Sequence, residues 1–223
     1  MSRNCITTIM LLYCGISASI NTRADVIAVG INSFPSSATV LAFTGLPTGL
    51  EVNGLTTSGV RFDYTVGGTP LNGALIIDGG PGVSNNISPP NIVSVGNDAG
   101  TLALTLPSSA NVFGYGFAIL NSGTVANATA VSAFNGTTLL GSVSFAGRPD
   151  PNFTGGFAGI LSTTPFNRVA LTFNSSSAPA FAVDNVQFAT VPEPSTLLSS
   201  VGACALLLLY CCPSSKQRDA GRG

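Results

Sequence analysis

The sequence predicts an all-β protein: an antiparallel, jelly-roll-like β-sandwich flanked by an N-terminal signal helix and a C-terminal transmembrane helix. Three observations carry this expectation. Only 8% of the 223 residues are charged, where about 25% is ordinary, while apolar residues reach 45% and Gly, Asn, Ser and Thr fill the gap. Short β-favouring stretches recur from Ala38 onward with turn residues between them, and nothing between the two ends holds a 3.6-residue apolar period flanked by caps. Both ends carry uncharged apolar runs of membrane type. Low hydrophobicity combined with high net charge would signal disorder, and this chain has the reverse.

Residues 1–24 read as a secretory signal peptide. Arg3 supplies the positive leader, and Ile6 to Ile20 form an apolar run relieved by Cys, Thr, Ser and Gly. Cleavage is expected after Ala24, in Thr22-Arg23-Ala24, with Ala18 and Ser19 as alternative sites. Tyr13 before Cys14 argues against a lipoprotein cysteine, which normally follows a small residue.

Residues 25–189 form the expected ectodomain. Strand-like stretches are Thr39 to Phe43, Val60 to Val66, Ala74 to Ile77, Thr101 to Leu106, Val112 to Leu120, Thr129 to Phe134, Thr138 to Phe145, Phe157 to Leu161, Arg168 to Phe173 and Ala180 to Phe188. Several alternate strictly, as from Phe181 to Phe188, which implies strands with one solvated face. The gaps carry turn chemistry, as in Val66-Gly67-Gly68, Asn72-Gly73, Asn121-Ser122-Gly123 and Asn135-Gly136. About ten short strands at this spacing, with no internal repeat, favour an antiparallel sandwich.

The ectodomain offers little to catalysis. The chain has no histidine, which removes Ser-His-Asp and Cys-His triads and the main nitrogen ligand of zinc. All five cysteines (Cys5, Cys14, Cys204, Cys211, Cys212) lie outside the ectodomain, so no disulfide is expected within it. No Gly-x-Ser-x-Gly elbow occurs there. A carboxylate pair for glycoside hydrolysis would have to come from Asp63, Asp78, Asp98 and Asp150, whose turn-like neighbours suit solvated loops better. The glycines from Asp78 to Gly82 lack the Gly-Lys-Ser/Thr ending of a phosphate loop. Arg61, Arg148 and Arg168 stand against seven acids between Asp25 and Thr190, a net charge of −4 with no nucleic-acid footprint. Tyr64, Tyr115 and Phe153 are candidate stacking aromatics for a sugar, while most of the thirteen phenylalanines are expected in the core.

Residues 190–223 form a tail of three parts. Val191-Pro192-Glu193-Pro194-Ser195 is held extended by its two prolines and cannot join a sheet or a helix. Leu197 to Cys212 (197–212) is uncharged and spans about 24 Å as a helix, short of the roughly 30 Å hydrocarbon core. After Pro213 come Lys216, Arg218 and Arg222, cations that favour a cytoplasmic C-terminus and place the ectodomain outside the inner membrane.

Pro-Glu-Pro, a short hydrophobic helix and a basic cluster in this order resemble the PEP-CTERM sorting tail. The resemblance implies processing by an exosortase-type membrane enzyme, with an inner-membrane precursor delivered to the cell surface or the exopolysaccharide matrix. In this chain Pro-Ser-Ser separates helix from cations, and a plain C-terminal anchor with Pro-Glu-Pro as linker is the alternative.

The ectodomain also resembles the β-sandwich found ahead of PEP-CTERM tails, through Ala42-Phe43-Thr44-Gly45-Leu46-Pro47, Asn85-Asn86-Ile87-Ser88-Pro89-Pro90-Asn91-Ile92, Phe157-Ala158-Gly159-Ile160-Leu161, Thr164-Pro165-Phe166-Asn167-Arg168-Val169 and Phe181-Ala182-Val183-Asp184-Asn185-Val186. That sandwich is similar in plan to carbohydrate-binding modules, some of which hold a structural calcium between an early acid and a late Asp. Asp184 occupies the late position, and Thr44 stands where the early acid is expected. The other reading of Asp184 is a turn cap or a backbone hydrogen bond near the sheet end. The functional expectation is an exported, non-enzymatic surface or matrix protein with a structural or adhesive role. A calcium-assisted carbohydrate-binding domain is the alternative, and an exported hydrolase the least favoured.

Overall fold

The computed structural model describes residues 25–78, 86–94, 100–177 and 179–190. The expected signal helix and transmembrane helix therefore lie outside the described residues. Among those residues the protein is all-β, with a single short 3-10 turn at Ile31–Ser33 and no helix long and apolar enough to cross a membrane. Twelve strands follow in chain order: β1 (Val26–Ala28), β2 (Thr39–Leu41), β3 (Thr56–Thr57), β4 (Val60–Val66), β5 (Thr69–Pro70), β6 (Ala74–Ile77), β7 (Asn91–Ser94), β8 (Thr101–Ile119), β9 (Val125–Asn135), β10 (Thr138–Pro149), β11 (Thr154–Phe173) and β12 (Phe181–Ala189).

Every pairing is antiparallel and all strands belong to one hydrogen-bonded network. Tight hairpins come from the turn residues. Val66 pairs with Thr69 across Gly67 and Gly68, both at positive φ, and Thr57 pairs with Val60 across Ser58 and Gly59, also both positive. These are the backbone signs of a two-residue turn whose twist matches the strands. Gly136, at φ 60, turns β9 into β10 as the Asn135-Gly136 pair predicts.

Two long strands convert this network into two layers. The first half of β8 pairs with β4 and with Arg168–Thr172 of β11, whereas its second half pairs with Thr154–Leu161 of β11 and with β12. Between the halves the register jumps twice. Ser162 to Pro165 have no partner on β8 and lie between Leu161 and Phe166, opposite Asn111; Leu106 to Ser109 run opposite Asn167. Reciprocal bulges bend both strands at the same level. The Ser162 hydroxyl closes its bulge by donating to Thr164 O and accepting from Thr164 N–H. The sequence divides each of these strands into two separate segments, and the split falls on the bend, where proline and small polar residues break the alternation.

The first layer thus runs β10, β9, the last part of β11, the first part of β8 and β4, with β3 and β5 on the far edge of β4. The second runs from β1 through the first part of β11, the second part of β8 and β12 to β7 and β6, with β2 beside β7 on β12. Alternation sends Val60, Phe62, Tyr64, Leu102, Leu104, Val131, Val169 and Leu171 inward from the first layer, and Phe113, Phe117, Ile160, Val183 and Val186 from the second, into one cluster. Aromatic contacts cross the interface: Phe173 stacks on Phe181 at 3.9 Å, and Tyr64 meets the same ring at 6.0 Å. This is a β-sandwich.

One hydrogen-bonded pair sits inside the apolar interface. Tyr115 is fully buried, and its hydroxyl lies 2.5 Å from that of Thr129 across the layers; Thr129 in turn donates to Thr172 O. A buried hydroxyl without a partner costs on the order of 1–3 kcal/mol, so the chain keeps both satisfied. Burial pushes the Tyr115 phenol well above its ordinary range, and it stays a neutral donor.

The outer faces of the two layers differ. On the second, Gly114, Gly116 and Ala118 leave a shallow channel. Asn86–Pro90, which contains a cis Pro89-Pro90 peptide bond, lies across it, with Ile87 packed on Ala118 and Ala182. Phe34 and Phe157 cover Gly114 in an edge contact at 5.8 Å. A Cβ on Gly116 would overlap the Asn86 carbonyl oxygen. The Gly116→Ala variant is therefore expected to lose about 1–3 kcal/mol in denaturant unfolding. Gly123→Ala, where a Cβ meets only Asn121 Oδ1 at 3.5 Å, should change stability much less.

Candidate functional site

The residues expected to sort the protein, Val191, Pro192, Glu193, Pro194 and Ser195, lie outside the described residues, as do Lys216, Arg218 and Arg222 of the basic tail. Two features of the sandwich remain: the uncovered outer face of the first layer, and Asp184 beneath the covered face of the second.

Strand register fixes the open face. Because side chains alternate, the partners of the inward residues all point out, in three rows across five strands. The first row reads Leu139, Phe134, Arg168, Thr105, Arg61. The second reads Ser142, Ser132, Ala170, Ala103, Asp63, and the third Ser144, Ala130, Thr172, Thr101, Thr65. With strands about 4.8 Å apart and same-face residues about 6.8 Å apart along a strand, the rows cover roughly 19 by 14 Å. Alanines form a low floor, hydroxyls line it, and charge is confined to one end of each of two rows and to Arg168.

The two arginines are held differently. Arg61 donates from Nε and Nη2 to the Asp63 carboxylate at 3.0–3.1 Å, an exposed pair that raises the Arg61 guanidinium above its usual value. Arg168 has its guanidinium carbon 4.1 Å from the centre of the Phe134 ring, one strand away, and no carboxylate partner among the described residues. Beside Arg168 on β11, Asn167 Oδ1 accepts from Gly136 N–H, which ties the β9–β10 turn to the strand that carries Arg168.

Asp184 lies on the second layer, where β12 bulges. It pairs with Gly116, Gln187 pairs with Gly114, and Asn185 takes up the extra residue at φ 50. The carboxylate is 2% exposed: Oδ2 accepts from Ser88 N–H at 3.0 Å, and Oδ1 has no partner. Asn185 donates from Nδ2 to Asn86 O, and Asn86 donates from its own Nδ2 to Asp150. This polar chain fastens residues 86–88 over the sheet, so the backbone hydrogen-bonding reading of Asp184 describes what the residue does. Calcium needs six to eight oxygens. Among the described residues no three acidic, His or Cys side chains converge, Thr44 is exposed in a turn, and the bare Oδ1 is a single ligand. The described residues at this site do not fit calcium.

The other candidates separate. Asp63 is paired to Arg61 on the open face, Asp78 accepts from Thr48 on an exposed loop, Asp150 accepts from Asn86, and Asp98 lies outside the described residues. Tyr64 and Tyr115 are core residues rather than stacking platforms, since their even spacing with Phe62 and Phe117 puts them on inward faces. Phe153 packs on the Ile87 and Ala182 cluster. The Phe134–Arg168 pair escapes sequence inspection because 34 residues separate its members, and only the register of β9 against β11 brings them together. A polar crevice of about 200 Å³ lies between Ser37, Thr39, Ser108, Ser109 and Thr190, where the Thr190 hydroxyl donates to Ser109 O.

An antiparallel sandwich with one open polar face is the class the geometry defines. No protein-family model and no curated protein matches the sequence. Among solved structures, the chain is similar to a cleaved adhesin domain of Lys-gingipain, at 15% identity, a TM-score of 0.48, and coverage of 70% of this chain and 100% of that one. It is similar to a family 29 carbohydrate-binding module in complex with cellulohexaose, at 13% identity and TM-score 0.36, covering 69% and 92%. It is also similar to the catalytic domain of a GH87 alpha-1,3-glucanase, at 13% identity and TM-score 0.40, covering 70% of this chain and 28% of that one.

Burial is the main reason the Asp184 carboxyl sits above the ordinary carboxylate range, and N–H donation from Ser88 and Asn185 opposes the shift. The native state therefore keeps this proton to a higher pH than the unfolded chain. Stability contributed by the protonated form is fully present below the ordinary carboxylate value and is lost as pH rises through the raised native value. Asp184→Asn should flatten that decline in unfolding experiments across the pH range just above the ordinary carboxylate value. Asp184→Ala, which strands Ser88 N–H, should cost about 1–3 kcal/mol. Added calcium is expected to leave the melting temperature unchanged, and a rise of several degrees would assign the bare Oδ1 to a metal.

Proposed function

We propose that this chain is an exported, non-enzymatic protein of the cell surface or extracellular matrix, with a structural or adhesive role, sorted through a PEP-CTERM tail. The observation that carries the reading is the five-strand open face: a broad, flat, hydroxyl-lined surface on a rigid sandwich, suited to contact with an extended partner. The architecture is read as jelly-roll-like because two long shared strands lay one antiparallel network over itself. Residues 1–24 act as the signal peptide. Residues 190–223 hold the precursor in the inner membrane through a helix at 197–212, until an exosortase-type enzyme acts near Pro192-Glu193-Pro194. The solitary settings of Asp63, Asp78 and Asp150, each bonded to a different neighbour, support a display role over hydrolysis.

The lectin-like alternative is favoured by the Phe134–Arg168 pair, which gives the face one aromatic and one cationic group among hydroxyls. It adds a ligand to the same display role and does not call for calcium.

Mass spectrometry of the protein after expression with its native export machinery tests the reading. An N-terminus at Asp25 and a C-terminus between Pro192 and Ser195 are expected. A C-terminus at Gly223 would make the protein a tail-anchored ectodomain, and turnover of glycosides or esters above the buffer rate would overturn the non-enzymatic assignment.

A further inference from the structure

We propose that the open face of the first layer binds a carboxylated polysaccharide, with Arg168, laid on Phe134, as the group that recognises the sugar carboxylate. The proposal rests on the display role above and names its partner.

Charge is distributed unevenly over the domain. Of the three arginines between Asp25 and Thr190, Arg61 and Arg168 project from this face, whereas of the six acids among the described residues only Asp63 does. Among the described residues the face is thus cationic by one charge, while off it Arg148 stands against five acids. A polyanion is repelled elsewhere and accepted here, at separations within the Debye length of about 8–10 Å.

Arg168 is built to receive a carboxylate. The five N–H donors of a guanidinium lie in its plane, so a ring placed against its flat side uses none of them. Phe134 holds the group in position and leaves its fork unpaired among the described residues, unlike Arg61, whose donors already engage Asp63. A planar fork matches a carboxylate through two parallel charge-assisted hydrogen bonds. Arg61 stands two strands further along the same row, about 10 Å away, with Thr105 between them.

The rest of the face selects a sugar chain over a protein. Thr65, Thr101, Thr105 and Thr172 present hydroxyls that can both donate and accept, and Ser142, which accepts from Ser132, keeps its own proton to donate, which suits the hydroxyls of pyranose rings. Protein partners are anchored by aromatic or aliphatic side chains buried in pockets. Here the floor between the rows is Ala103 and Ala170, level with the sheet, and the aromatic ring is already engaged by Arg168.

The test uses the full chain purified in detergent, with affinity electrophoresis through gels containing sodium alginate, polygalacturonate or neutral dextran. Retardation by the two acidic polysaccharides and not by dextran is expected, weakening as salt is raised. Arg168→Gln should weaken binding about tenfold or more, a loss of ~1.4 kcal/mol. Arg168→Lys should recover only part of the affinity. Arg148→Gln, on the stretch of β10 that pairs with the other layer, should bind like the unaltered chain. Unchanged melting temperatures keep the comparison free of folding defects. Equal retardation by dextran, equally tight binding of poly-glutamate, full binding by Arg168→Gln, or no retardation at all would each overturn the proposal. The display role fails on other grounds, through catalytic turnover or absence from the cell envelope, so the two failures are distinguishable.

Discussion

The bend shared by β8 and β11 is the constraint on which the rest of the structure depends. A twelve-strand antiparallel sheet left flat would expose one whole apolar face. The paired bulges at Leu106–Ser109 and Ser162–Pro165 let the same two strands serve both layers, so the apolar faces close on each other. Close packing then fixes the details: Phe181 meets Tyr64 and Phe173 from the opposite layer, and Tyr115 reaches Thr129. Because one continuous ladder forms both layers, neither is an independent folding unit.

Folding the sheet this way gives the two outer faces different fates. The second layer carries glycine and alanine where β8 passes under the chain, which admits Asn86–Pro90 to within contact of the backbone. Backbone groups brought that close need partners, and Asp184 and Asn185 supply them from the β12 bulge. The buried, half-satisfied carboxylate is a by-product of fastening the loop. The first layer has larger residues and hydroxyls, and nothing crosses it among the described residues.

Much of the sandwich is legible in the sequence, and the misses have physical causes. Val60–Val66 and Ala74–Ile77 match their expected bounds because adjacent Gly turns mark both ends of each, and in the first apolar and polar residues also alternate. The segments at 101–106 and 112–120 merge into β8, since hydrogen bonding continues through a bend that apolar periodicity does not survive. Nothing in the pattern marks β7: Asn91–Ser94 is buried on both faces and includes Asn91 and Ser94, so it shows no alternation. For the candidate sites, Asp184 is legible as a residue with a late-strand role, but its partner Ser88 is 96 residues away and belongs to a loop. The open face is not legible, because outward residues are chosen for little except solubility and only register collects them into rows.

The position of β12 has a mechanical consequence. This last described strand lies in the middle of its layer, bonded to β8 on one side and to β7 and β2 on the other, and its end is latched by Thr190 to Ser109. A pull applied at Thr190 along the strand loads both ladders in shear, so many hydrogen bonds must break together. An edge strand would instead unzip one bond at a time. A domain tethered at this end resists tension with the whole sandwich.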